Sequence, residues 1–205
     1  IWYSRYRDGK WEPQRKAAGT GEAPCWNPVL FDAGDRLVLY YKTGKPIPVW
    51  QTYYKESFDQ GETWSGAKEL VEGDFGGRGP VKNKCIRLKD GAILAPASIE
   101  TETEWNCFTD RSEDNGRTWT RSEYVPIDRS KLEYKGIIQP TLWQDDEGIV
   151  HMYTRSTEGY IYHSQSEDGG RSWSEALPTA LPNNNSGIDL TRLEDGRLVL
   201  VYNPI

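Results

Sequence analysis

Short apolar runs separated by glycine-containing turns recur along this chain in pairs. Val29-Leu30-Phe31 leads through Ala33-Gly34-Asp35 into the apolar residues 37–40. Residues 85–88 lead through Asp90-Gly91 into 93–95, residues 141–143 through Glu147-Gly148 into 149–153, and residues 190–193 through Asp195-Gly196 into 198–202. Each of the first three pairs is followed by a third run, at 50–55, 105–111 and 160–165. Runs rich in β-branched and aromatic residues, punctuated in this way, predict antiparallel strands. No stretch keeps a 3.6-residue apolar period, so little helix is expected.

After each third run comes one pattern: Ser57-x-Asp59-x-Gly61-x-Thr63-Trp64, Ser112-x-Asp114-x-Gly116-x-Thr118-Trp119 and Ser166-x-Asp168-x-Gly170-x-Ser172-Trp173. The aspartates at 59, 114 and 168 are spaced by 55 and 54 residues. A constant period of this size marks one supersecondary unit repeated along the chain. Within each copy, Ser and Asp can accept from turn amides, and Gly can take the positive φ that a Cβ penalises. The Trp is expected to open a fourth strand and to pack its ring between neighbouring sheets. Asp59, Asp114 and Asp168 therefore read as turn residues, one in each repeat, and not as a shared metal or catalytic cluster.

Four antiparallel strands per repeat predict an all-β fold, a β-propeller of radially arranged blades. Residues 4–11, Ser4 to Trp11, resemble a shortened copy of the pattern 51 residues before the first full one, Asp8 to Asp59. The chain thus reads as one blade end, three whole blades and the first half of another. We expect residues 1–205 to form a single partial propeller of about four blades, a fragment truncated at both ends, because an open arc leaves sheet edges unpaired.

Composition narrows the partners. Lys and Arg number 25 against 31 Asp and Glu, a mild acidity that argues against nucleic acid. No apolar run approaches a membrane span. Cys25, Cys85 and Cys107 form no closely spaced pattern, and the only histidines are His151 and His163, so no metal and no cofactor is expected. Buried free thiols are the expectation for the cysteines, and they assign no compartment. Patterned-turn tryptophans and blade packing account for most of the nine Trp and twelve Tyr, and a surplus also suits carbohydrate, whose C–H faces stack on aromatic rings.

If the patterned turns mark one face of the disc, the loops entering each first strand and those joining second to third strands gather at the other. The entries are polar: Trp26-Asn27-Pro28, Gly79 to Lys84, Gln139-Pro140, and Asn183 to Asp189 with Asn185 and Ser186. The second-to-third loops add residues 42–50, the acidic run Glu100, Glu102, Glu104, and Arg155. Arg155 can grip a carboxylate with a planar fork, and Lys82 and Lys84 add point charges. Asn27, Asn83, Gln139, Asn185 and Ser186 suit sugar hydroxyls, with Trp26 beside them. Glu100 and Asp189 are the candidate proton-transfer groups. An extended segment would put Glu100, Glu102 and Glu104 on one side, where repulsion raises a pKa. Arg78 is a second, weaker candidate cation for the carboxylate.

These boxes, with Cys25-Trp26-Asn27-Pro28-Val29-Leu30-Phe31, Gly79-Pro80-Val81-Lys82-Asn83-Lys84 and Asn185-Ser186-Gly187-Ile188-Asp189, resemble the sialidase (neuraminidase) superfamily and its predicted Asp-box neuraminidases. The resemblance implies a six-bladed propeller that hydrolyses a terminal α-linked acidic sugar with retention and without metal. It implies three arginines on the substrate carboxylate, a tyrosine nucleophile helped by a glutamate, and an aspartate as acid/base. The family's Arg-Ile-Pro segment is absent here, and no tyrosine matches the nucleophile. Two other readings share the fold: a polysaccharide lyase or another glycosidase, and a non-catalytic carbohydrate-binding propeller.

Overall fold

A computed structural model of the chain describes residues 1–19, 21 and 23–204. The N-terminal region contributes β1 (Trp2–Tyr3), β2 (Tyr6–Arg7), β3 (Lys10–Trp11) and β4 (Arg15–Lys16). Three four-stranded antiparallel blades follow. The first holds β5 (Cys25–Asp32), β6 (Leu37–Thr43), β7 (Gln51–Ser57) and β8 (Lys68–Glu69). The second holds β9 (Ile86–Arg87), β10 (Ile93–Glu100), β11 (Trp105–Ser112) and β12 (Thr120–Arg121). The third holds β13 (Ile137–Gln144), β14 (Val150–Ser156), β15 (Tyr160–Ser166) and β16 (Leu177–Pro182). The hairpin β17 (Asp189–Arg192) and β18 (Leu198–Val201) begins another. Among the described residues, helix is confined to two short 3-10 turns, Ile47–Val49 and Arg129–Lys131.

At the N-terminus β1 pairs with β4 while β2 and β3 form the hairpin between them. This is the arrangement of a third strand, box turn and fourth strand, as the shortened pattern predicts. Each full box folds identically. Ser57 Oγ donates to Asp59 Oδ1 at 2.8 Å and accepts from the Gly61 amide at 2.8 Å, while Thr63 donates its amide (2.9 Å) and hydroxyl (2.6 Å) to the two Asp59 oxygens. The same four bonds recur around Asp114 and Asp168. The Thr63 hydroxyl and amide hold Asp59 down to about 2. Burial alone would raise Asp114 and Asp168, but the Thr118 and Ser172 donors overcome it and hold both at about 2.

The box tryptophans sit between blades. Trp173 is buried in one cluster with Leu94 and Cys107 of the second blade and Leu142 and Met152 of its own, and its Nε1 donates to Thr109 Oγ1 at 3.1 Å. Trp119 packs edge-on to Tyr40 of the first blade, and Trp64 edge-on to Tyr3. Yet the fourth strands do not open at these residues: β8 and β16 start four residues later and β12 one later. Turning the indole inward takes the backbone off the sheet edge. It first re-engages the third strand through Ser65 N to Glu56 O and Ser174 N to Gln165 O, both 2.8 Å. The second blade's first strand is also shorter than the apolar run 85–88, since only Ile86–Arg87 pairs with β10.

Candidate functional site at the loop face of the propeller

The two faces of the disc separate cleanly in the hydrogen bonding. The second and third box turns bind the first-to-second-strand turn of the preceding blade: Arg36 Nη2 donates to Asn115 O at 2.8 Å, and Arg111 bridges Gly169 O and Asp90. The entry loops and second-to-third-strand loops meet one another at the opposite end.

Among the described residues, seven that are not glycine have positive φ. Asp8, Gln60 and Asn115 are box-turn residues; the other four are Asn27 (47°), Lys82 (64°), Gln139 (51°) and Asn185 (63°). Asn27 and Gln139 interrupt the innermost strands β5 and β13 near their starts, and Lys82 and Asn185 each lie four residues before β9 and β17. Left-handed backbone at a side chain-bearing residue costs about 1–2 kcal/mol, so its recurrence at four equivalent places marks a site. At Asn27 and Gln139 the register of the first strand slips, between Trp26 and Val29 and between Ile138 and Thr141. Such bulges re-aim side chains.

Arg155, near the end of β14, lies at the centre. Its Nε donates to Asn185 Oδ1 at 3.1 Å and its Nη1 to Gln139 Oε1 at 3.0 Å, with the Trp105 ring centre 5.6 Å from the guanidinium. Among the described residues no carboxylate bonds to it. Burial lowers its pKa, opposed by the charge of Glu100. Lys82 Nζ donates to Ile188 O at 2.9 Å, again a neutral partner. Burial lowers Lys82 too; Asp189 opposes this, while Arg155 and Lys84 add to it. Glu100, half-buried at the end of β10, is raised by burial against the pull of Arg155 and Lys135. Arg155, Gln139, Asn185, Lys82 and Glu100 are thus brought together.

Other candidates take different places. Asn83 is buried, and its amide donates to the carbonyls of Gln139 (3.0 Å) and Pro140 (2.9 Å), so it braces the bulge. Lys84 Nζ pairs with Asp189 Oδ1 at 2.9 Å, and Thr141 Oγ1 donates to the same oxygen at 3.0 Å. This triad ties the entry to the second blade to the innermost strands β13 and β17. Asn27 and Ser186 are half-buried at their entries, the Ser186 amide donating to Asn184 Oδ1 at 3.2 Å. Trp26 is 43% exposed at the mouth.

Two expectations fail. Glu100, Glu102 and Glu104 do not share one extended side, because 101–104 is a turn closed by Thr101 N to Glu104 O (2.8 Å) and Glu104 N to Thr101 Oγ1 (2.8 Å). Only Glu100 stays in the strand. Arg78 is not at the mouth: it is spent on the buried Asp110, with Nε to Oδ1 at 2.7 Å, and on Trp119 O at 3.0 Å.

Two residues of the second-to-third-strand segments, to which the sequence reading gave no individual role, also contribute. Lys42 is buried, its Nζ donating to Thr52 Oγ1 (2.7 Å) and to the carbonyls of Gly77 (3.0 Å) and Arg78 (2.8 Å). Burial pushes it down to about 7. It anchors the loop that delivers Lys82. Ser98 Oγ accepts from the Gln139 amide at 3.2 Å and so helps hold the bulge. The signal available in the sequence was the repeated polar residue followed by Pro, Asn or Ser at each entry. His151 and His163 form a separate chain, Asp145 Oδ2 to His151 Nε2 at 3.0 Å and His151 Nδ1 to His163 Nε2 at 3.1 Å, away from this mouth.

Box-turned blades around an axis with a polar mouth define an Asp-box propeller. The whole chain, residues 1–205, matches the BNR repeat-like domain family, and it belongs to that family. No curated protein matches it. Among solved structures it is similar to a protein of unknown function from Dyadobacter fermentans, with a TM-score of 0.76 and 17% identity over 98% of this chain and 63% of that one. It is similar to a Trypanosoma rangeli sialidase (TM-score 0.67, 16% identity, 94% of this chain and 36% of that one). It is also similar to an endo-arabinase from Bacteroides thetaiotaomicron (TM-score 0.65, 18% identity, 94% and 76%). The chain therefore spans less than two thirds of the first two.

Proposed function

We propose that residues 1–205 form one propeller domain carrying the sugar-recognition mouth of a sialidase-like glycoside hydrolase that acts on a terminal acidic sugar. One observation carries this reading: Arg155 is held by two neutral side-chain oxygens and bonds to no carboxylate, with Lys82 similarly held beside it. Two cations fixed this way are preorganised for a ligand carboxylate, and no partner has to be displaced when it binds. Gln139, Asn185 and Asn27 present amide groups for the hydroxyls. Glu100, raised by burial, is suited to hold a proton and deliver it to a leaving oxygen. Asp189 is tied to Lys84 and Thr141, which suits it to positioning the innermost strands. Trypanosoma rangeli sialidase has been solved with sialic acid bound, which supports an acidic glycan as the partner class.

Calorimetric titration of the 205-residue chain with sialosides, galacturonides and arabino-oligosaccharides tests this. Acidic sugars are expected to bind, and Arg155→Ala to weaken them roughly ten- to hundredfold, the loss of a charge-assisted bidentate contact. Arabino-oligosaccharide binding without acidic-sugar binding would move the chain to another glycosidase class. A lyase would instead release an unsaturated, ultraviolet-absorbing product.

A further inference from the structure

We infer that Trp26 and Trp50 build a second subsite, for the sugar next to the terminal acidic one, so that the mouth reads at least a disaccharide. The inference rests on the glycan reading above and adds a place for the adjoining ring.

Trp26 is 43% exposed at the mouth, immediately before the strained Asn27. Its orientation is nevertheless fixed. Nε1 donates to Gly44 O at 2.9 Å, and its ring stacks on Trp50 with centroids 5.7 Å apart and planes 17° apart. Gly44 has φ +127°, and a Cβ there would come within 3.3 Å of Trp50 Cδ1, so the loop is shaped to admit the second indole. An exposed indole with a backed, hydrogen-bonded ring is not ordinary core packing. It is a flat apolar face held ready for the C–H face of a pyranose, at little entropic cost.

The platform is continuous with the mouth. Trp50 lines a small cavity together with Ile47, Lys42, Ser98 and Glu100. Glu100 is the proton-transfer candidate beside Arg155, and Ser98 holds the Gln139 bulge. The Trp50 Nε1 is buried without a hydrogen-bond partner. In this inference the acidic end of the glycan engages Arg155 and the next ring lies on the indole of Trp26, which Trp50 backs.

The test compares ligand length. The 205-residue chain is titrated with methyl α-N-acetylneuraminide against 3′-sialyllactose, and with methyl galacturonide against trigalacturonate. The longer member of at least one pair is expected to bind about tenfold more tightly, a stacking contribution of ordinary size. Trp26→Ala should abolish that length advantage, weakening the longer ligand about tenfold more than the short one, and Trp26→Phe should restore most of it. Arg155→Ala should weaken both members of a pair equally. If Trp26→Ala leaves the length advantage intact, or neither pair shows one, the subsite does not exist while the Arg155 reading stands. If none of the four ligands binds, both readings fall.

Discussion

The two faces of this propeller are built from the same backbone device and use it in opposite ways. On the box face, the left-handed residues Gln60 and Asn115 are followed by glycine, whose amide donates to the serine hydroxyl of the same turn, and each box aspartate accepts from the Thr or Ser four residues further on. On the loop face, the left-handed residues Asn27, Lys82, Gln139 and Asn185 stand at strand entries, and the cations they surround rest on neutral oxygens. Strain that is fully compensated locally is architecture. Strain that leaves Arg155 and Lys82 with no directly bonded carboxylate among the described residues is poised for a ligand.

Removing a box tryptophan should produce the largest effect. Trp173→Ala empties the core between the second and third blades and leaves Thr109 without its donor, an expected loss of about 3–5 kcal/mol in urea unfolding. A loss no greater than that of the exposed Trp11→Ala would break the assignment of that face to stability. Gly170→Ala comes next. A Cβ there meets Leu94 Cδ2 at 2.6 Å and the residue has φ +85°, so roughly 1–3 kcal/mol of overpacking and strain is expected in the same measurement.

Acid should dissect the box face as well. Asp59, Asp114 and Asp168 sit at about 2 when folded, below the ordinary carboxylate value of about 4, so the unfolded chain takes up protons first as pH falls. Their stabilisation is present above about pH 4 and is lost as pH drops towards 2. Circular dichroism melts across that window should show a falling midpoint, and Asp114→Asn should flatten the dependence; an unchanged slope would contradict it.

The smallest stability effects belong to the loop face. Gln139→Gly relieves a positive φ and should keep stability within about 1 kcal/mol, yet it removes an oxygen that holds Arg155 and should cut acidic-sugar affinity several-fold. Gln60→Gly, its counterpart on the box face, should leave affinity untouched. Gly187→Ala sharpens the contrast, because its Cβ would fall 2.3 Å from Lys82 Cε and displace only that flexible end. Titration calorimetry beside thermal melts separates the two readouts. Equal affinity in all three variants would dissolve the distinction between faces.

Blade architecture was legible in the linear chain because its determinants are local. A Ser-x-Asp-x-Gly-x-Thr turn closes on its own atoms within seven residues, and two-residue alternation sets which side of a strand is buried. The mouth was legible only as a set of polar entries. Nothing local distinguishes Arg78, consumed by Asp110, from Arg155, held on Gln139 and Asn185, because the partners lie 32, 16 and 30 residues away. Likewise Asn83 and Lys42 look like surface polar residues until packing between blades buries them. Local hydrogen bonds determined the repeat; which charges are spent and which are left free was decided by inter-blade contacts, since a side chain's availability depends on everything that folds against it.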